Sequence, residues 1–149
     1  LSEIIGADTF VGRMNEKARE LGMDYTYFVN PTGLDPKNKS QPAANELNYS
    51  TAQDLTKLID YILKNRPRIL EFTKGGYNTP IENGISNLKL YDGQELIGAK
   101  TGFTKNAKGS ILFVFQDAKK NIFANIILGA ATEESRIQEM QKIINWLSL

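Results

Sequence analysis

The sequence predicts an α+β fold, and three observations carry the prediction. Apolar residues recur at helical spacing through the first half of the chain. Two continuous β-prone runs follow, Ile111 to Phe115 and Ile122 to Leu128, and an amphipathic pattern closes the chain from about Thr132. The chain has 149 residues, a length that suits one domain, and 41% of them are apolar, enough for a core. Lys and Arg number 18 against 17 Asp and Glu, a formal charge of +1, which gives no reason to expect a nucleic-acid partner. No apolar run approaches the ~20 residues of a membrane helix. With no His and no Cys, imidazole triads, thiol chemistry, disulfides and His- or Cys-based metal sites are excluded. Ser, Thr, Lys, Tyr and carboxylates remain for chemistry, and no metal or cofactor is expected.

Each element has its own signal. Leu1 to Gly6 reads as the end of a helix, with no initiating Met, basic leader or cleavage signature, so no signal peptide is expected. A helix then opens near Asp8, with Phe10, Met14, Ala18 and Leu21 on one face and Gly22 as its stop. Residues 24–49 form a long polar loop punctuated by Asn30-Pro31-Thr32-Gly33, Asp35-Pro36 and Gln41-Pro42, and loops of that length are usually functional or anchored. A second helix is expected from Ser50, with Gln53 completing a capping box and Ala52, Leu55, Leu58, Ile59, Ile62 and Leu63 as its apolar face. Pro67 opens a short helix, Arg68 to Phe72. After Gly75-Gly76 the character turns extended. Leu96 to Lys100 forms a strand leading into Thr101-Gly102-Phe103-Thr104, and Asp117 to Asn121 is a hairpin turn between the two β-prone runs. The closing helix carries Glu133 and Glu134 in its first turn, where its dipole favours anions, and faces the core with Ile137, Met140, Ile144 and Leu147. There is no internal repeat and no low-complexity tract.

Chemistry concentrates at Lys100-Thr101-Gly102. On a strand Lys100 and Gly102 share a face, and a glycine there lets a ligand approach the backbone closely. A strand edge offers N–H and C=O groups to an extended peptide, and Lys supplies a cation for a carboxylate. The same triplet also fits a solvated lysine followed by a turn glycine. Context decides between them. Phe28-Val29-Asn30-Pro31-Thr32-Gly33-Leu34-Asp35, Asn48-Tyr49-Ser50-Thr51-Ala52-Gln53-Asp54-Leu55 and Gly98-Ala99-Lys100-Thr101-Gly102-Phe103-Thr104 occur in this order, after Met14 to Met23. Together they resemble the serine-type D-alanyl-D-alanine carboxypeptidases, the low-molecular-weight penicillin-binding proteins of peptidase family S11, over essentially the whole chain. Lys-Thr-Gly belongs with Ser-x-x-Lys and a Ser-x-Asn triplet in the motif set of such enzymes.

The resemblance implies a β-lactamase/transpeptidase-like fold, here with a partial antiparallel sheet of three strands, helices before it and a closing C-terminal helix. It implies acyl transfer on peptidoglycan stem peptides ending in D-Ala-D-Ala, susceptibility to β-lactams in the intact enzyme, and an extracytoplasmic location in the cell envelope. A serine attacks the penultimate D-Ala carbonyl, D-Ala leaves, and water releases the acyl-enzyme. By resemblance Lys100 is the catalytic residue of this chain, assisting proton traffic and orienting the substrate carboxylate. Thr101 binds that carboxylate through its hydroxyl. Gly102, Phe103 and Thr104 lie where the strand pairs with the peptide and a backbone N–H serves the oxyanion. Arg136 matches by position an arginine that binds the terminal carboxylate, a task suited to a bidentate guanidinium, though an exposed helix arginine would look the same.

The sequence departs from the family pattern at the nucleophile. No Ser-x-Asn occurs, and Ser86-Asn87-Leu88-Lys89 fits Ser-x-x-Lys only in a Gly-flanked stretch that reads as extended, whereas the catalytic pair needs a helix. Residues 1–149 are therefore expected to be the C-terminal portion of one penicillin-binding domain, inactive alone, or a non-catalytic module that binds the same peptide. The Ile122–Leu128 strand would then be an unpaired apolar edge, so self-association or pairing with the missing N-terminal fragment is expected.

Overall fold

The structure is a computed structural model that describes residues 2–37, 42–74 and 84–148. The expected turn residue Gln41 and the change of character at Gly75-Gly76 lie outside the described residues. Two compact units emerge, Leu1–Tyr61 with Thr104–Asn106, and Ile62–Phe103 with Ala107–Leu149.

In the first unit, α1 (Ser2–Ile5) and α2 (Ala7–Glu20) precede the polar loop; α3, Ala52–Asn65, begins in this unit and its last residues, from Ile62, belong to the second. The start of α3 differs from the expected box at Ser50 and Gln53. Thr51 is the cap: its hydroxyl accepts the amide of Asp54 at 3.1 Å, while the Ser50 hydroxyl turns to that of Thr26 at 2.7 Å. Asn15 of α2 holds the loop by exchanging two 2.8 Å hydrogen bonds with the backbone of Phe28, as a strand neighbour would. Beyond it, Tyr27 and Tyr49 exchange backbone hydrogen bonds of 3.0 Å in both directions. Beneath that bridge lies the buried Asp54. Its carboxylate accepts from the Tyr25 amide at 2.8 Å, the Thr26 hydroxyl at 2.9 Å and the Lys57 ammonium at 3.2 Å. Burial alone would raise the pKa of Asp54, but these donors outweigh it and lower the pKa. Ala18, Met23 and Ile59 form the buried apolar part of this unit, next to an open hollow of about 420 Å³ between Phe10, Met14, Phe28 and Leu58.

The second unit holds α4 (Arg68–Glu71) and a three-stranded sheet in the order β1-β2-β3, with β1 Glu95–Thr104, β2 Lys108–Gln116 and β3 Ile122–Ala130. Helix α5, Glu133–Trp146, covers one face. The register is clear in the β2–β3 pair, which is antiparallel with Phe115 opposite Phe123. Those rings stack at 5.2 Å between centroids, so the aromatic pattern is sheet core, as its alternation suggests. Phe113, Phe115, Ile111, Met140 and Ile144 are buried together with Ala99 of β1. The β2–β3 turn is built on Asp117, whose carboxylate accepts the amides of Lys119 and Asn121 at 2.8 and 2.9 Å. Helix α5 starts on a complete capping box, with Thr132 and Ser135 each bonding the other's backbone amide. Among the described residues β3 pairs with β2 alone, so its outer edge is open and Ile122 and Leu128 are exposed.

Candidate functional site

Strand β1 positions the Lys-Thr-Gly triplet. It runs four residues past Lys100, because Thr101 and the following residues keep extended geometry up to Thr104. The two-residue period puts Gly98, Lys100 and Gly102 on one face, and Ala99 and Thr101 on the other. Lys100 is exposed, and its ammonium donates to the Thr101 carbonyl at 2.7 Å. Thr101 is 7% exposed and shares its face with the core residue Ala99. Gly102 and Phe103 are exposed and Thr104 is half-buried. Among the described residues β2 is the only strand beside β1, and the Ala99 amide donates to Thr73 Oγ1 at 3.0 Å.

Two glycines on this one face do different work. A Cβ on Gly98 would lie 2.8 Å from Leu70 Cβ and Thr73 Oγ1 and 3.0 Å from the Leu70 carbonyl, so Gly98 is required by packing against α4. A Cβ on Gly102 would meet nothing within 4 Å, and Gly102 has no positive φ to accommodate. Packing does not explain the glycine at 102.

Arg136 is not the exposed helix arginine that its position could equally have given. It is 1% exposed, with Nη1 donating to the Gly102 carbonyl at 2.8 Å and Nη2 to Glu133 at 3.0 Å. The guanidinium thus grips the backbone of the triplet itself and ties α5 to β1 at Gly102. Its spacing of four from Met140 and eight from Ile144, both buried, is the signal in the sequence that puts it on the inner face.

Lys100, Thr101, Gly102, Phe103 and Arg136 come together in the second unit, and Thr104 is the next residue along the strand. Ser86 does not join them. It sits in a short 3₁₀ turn, Ile85–Asn87, rather than in extended chain, and the backbone is extended again at Leu88, so Ser86 and Lys89 do not share a helical face. Lys89 instead exchanges backbone hydrogen bonds with the Gln141 side chain.

Sequence reasoning missed Asp35. Its Oδ2 accepts from the Asn106 amide at 3.1 Å and from Asn106 Nδ2 at 2.8 Å, 71 residues away, at the turn that leaves β1. Burial would raise its pKa, but hydrogen bonds from Asn106, from the Thr104 hydroxyl and from the Lys105 amide prevail and lower it.

Comparison with known proteins identifies the family. The family model for D-alanyl-D-alanine carboxypeptidase matches residues 2–132. The chain is 32% identical to the D-alanyl-D-alanine carboxypeptidase DacF of Bacillus subtilis, over 93% of the chain and 35% of that protein. It is 30% identical to the D-alanyl-D-alanine endopeptidase of Escherichia coli, over 95% of the chain and 45% of that protein. The chain therefore spans a third to a half of the curated relatives it matches. In fold it is similar to a D-alanyl-D-alanine carboxypeptidase from Mycobacterium tuberculosis, with a TM-score of 0.74, 22% identity, and coverage of 99% of the chain and 57% of that structure. Penicillin binding protein 5 from Haemophilus influenzae gives 0.72 at 24% identity, over 97% of the chain and 41% of that structure.

Proposed function

The chain belongs to the D-alanyl-D-alanine carboxypeptidases of peptidase family S11, and on that footing we propose that it forms the strand side of a serine carboxypeptidase site acting on peptidoglycan stem peptides. The observation that carries this reading is the open face of β1, where Lys100 stands two residues from a glycine that packing does not require. The peptide lies along β1 on the side away from β2, and Lys100 orients its terminal carboxylate and assists proton transfer. The Gly102–Thr104 backbone pairs with the peptide and contributes an N–H toward the developing oxyanion, while Thr101, turned to the core face with Ala99, anchors the strand rather than meeting the carboxylate as the resemblance implies. Arg136 adds positive charge behind the carboxylate while it fixes the Gly102 carbonyl.

The attacking serine comes from residues outside this sequence, since no Ser-x-Asn is present and the one Ser-x-x-Lys is not helical. Residues 1–149 are then the C-terminal portion of one penicillin-binding domain, which reaches activity by joining a segment that brings the serine. The open edge of β3 serves either that pairing or self-association. The setting is extracytoplasmic, in the cell envelope. None of the described helices is long and apolar enough to cross a membrane. One specific observation keeps a second reading in play. The sequence as it stands has the carboxylate-binding strand without the nucleophile, which suits a non-catalytic module that binds the same peptide ends.

Fluorescent penicillin separates these readings. The chain alone is expected to take no stable label, and stable labelling would show that a nucleophile is present after all. Mixed with an S11 N-terminal segment carrying Ser-x-x-Lys, it is expected to label and to release D-Ala. Carboxypeptidase and endopeptidase substrates should be run side by side, because the relatives carry both names. Failure to label in the mixture, with peptide binding intact, would favour the binding module.

A further inference from the structure

We infer that Asp35 is a positioning residue for the substrate strand, a clamp by which the Asn30–Asp35 loop holds the turn at the end of β1. The inference rests on the reading of β1 as the strand that meets the peptide. The loop is braced before it reaches the turn. Asn30 Oδ1 accepts the Gly33 amide at 2.7 Å, the Thr32 hydroxyl at 3.0 Å and the Thr32 amide at 3.1 Å. Asn48 Oδ1 accepts the amides of Val29 and Asn30 at 2.7 and 3.1 Å, and Asn48 Nδ2 returns a bond to the Asn30 carbonyl at 3.0 Å. At the end of this rigid frame, the Asp35 carboxylate gathers donors from three consecutive residues. They are the Thr104 hydroxyl, the Lys105 amide, and the amide and side chain of Asn106.

Those three residues are the last of β1 and the start of its turn into β2. A carboxylate collecting several donors is the strongest form of such a contact, because each bond is charge-assisted. Thr104 is also the end of the run whose backbone pairs with the peptide. Without the clamp the turn loses the acceptor that its donors share, and the strand end loses its fixed line. A strand that must act as a template binds more tightly when it is already ordered, since the cost of ordering it is not then charged to the ligand. The clamp therefore sets affinity for an extended peptide without touching it. It also gives the Asn-Pro-Thr-Gly-Leu-Asp motif a task that the chemistry of Lys100 leaves unassigned.

The test uses the chain as it stands, with amide hydrogen exchange to read the clamp and titration with a D-Ala-D-Ala-terminated peptide to read its consequence. Asp35→Ala is expected to speed exchange at Lys105 and Asn106 at least tenfold, leave the amides of α3 unchanged, and weaken peptide binding at least fivefold. The reciprocal exchange, Asp35→Asn with Asn106→Asp, reverses the donor and acceptor of one bond and is expected to recover both readouts, which a general loss of structure would not allow. Asn106→Ala, which removes the side-chain donor alone, should give the same changes in milder form and serves if Asp35→Ala does not fold. Unchanged exchange at Lys105 and Asn106, or faster exchange with undiminished peptide affinity, would overturn the clamp. A parent chain that binds no peptide would instead overturn the reading of β1 on which the clamp's purpose depends.

Discussion

Gly98 and Gly102 lie on one face of one strand, yet a methyl group added to each should have opposite consequences. At Gly98 the new Cβ would stand 2.8 Å from Leu70 Cβ, well inside contact distance, and the nearest atoms include the Leu70 carbonyl, which cannot rotate away. Overpacking of that kind costs about 1–3 kcal/mol. The movement also strains the bond from the Ala99 amide to Thr73 Oγ1, now 3.0 Å, whose loss would add about 1 kcal/mol. Against this, removing a glycine from a strand returns about 0.4–1 kcal/mol by restricting the unfolded chain. Gly98→Ala should therefore be destabilising by about 1–3 kcal/mol. Gly102→Ala meets nothing within 4 Å and should leave stability unchanged or raise it by up to about 1 kcal/mol. Ligand affinity should follow the reverse order for Gly102. A methyl on the face shared with Lys100 obstructs the close approach of an extended peptide, at about 1–3 kcal/mol or roughly 5- to 150-fold in affinity. Urea denaturation and peptide titration on the two variants measure both effects. If Gly102→Ala melts as early as Gly98→Ala, or binds peptide as well as the parent, the glycine at 102 is not there for a ligand.

Other outcomes follow from the same structure. The folded pKa of Asp54 lies below its ordinary value of 3.8, so its stabilisation is complete above that value and is lost as pH falls through the folded pKa. Urea melts below pH 4 should show that loss, and Asp54→Asn should be less stable at neutral pH with a flatter acid limb; an unchanged limb would mean that Asp54 does not bear the acid sensitivity. Met140 is fully buried against the sheet, and Met140→Ala should cost about 2–5 kcal/mol, with a thermal melt lowered by less than 2 °C as the contrary result. Lys substitutions at Ile122 and Leu128, both exposed on β3, should reduce any self-association of the chain in sedimentation, because charge on a strand edge opposes pairing. Association that is unaltered would place the contact elsewhere.

What could be read from the sequence was what is local. The Asp117–Asn121 turn, the β-prone run through Phe113 and Phe115, and the helix from about Thr132 are each decided within a few residues, and each formed where expected. The start of α3 was misplaced by one residue because Ser50 and Thr51 are both competent caps. The choice fell to Thr26, which takes the Ser50 hydroxyl from another part of the chain. Arg136 carried two readings because a guanidinium on a helix is normally solvated. Its place on the Met140 and Ile144 stripe pointed inward, and a carbonyl 34 residues away made that burial tolerable. Asp35 showed only as the end of the Asn-Pro-Thr-Gly-Leu-Asp motif, with nothing local to name its task, since Asn106 is 71 residues off and joins it only in the folded chain. The carboxypeptidase resemblance, carried by ordered motifs, named the family that the matching model shows. It did not show that Gly98 and Gly102 serve different ends, which depends on what stands beside each Cβ.

The central claim is that the edge and open face of β1 receive a peptide ending in D-Ala-D-Ala. Backbone resonance shifts of the chain, followed during titration with such a peptide, test it most directly. Saturable shifts concentrated at Lys100 to Thr104, abolished by Lys100→Ala and absent with the same peptide amidated at its C-terminus, are the expected result. Shifts that fall elsewhere, or that survive both the Lys100→Ala change and removal of the terminal carboxylate, would contradict it.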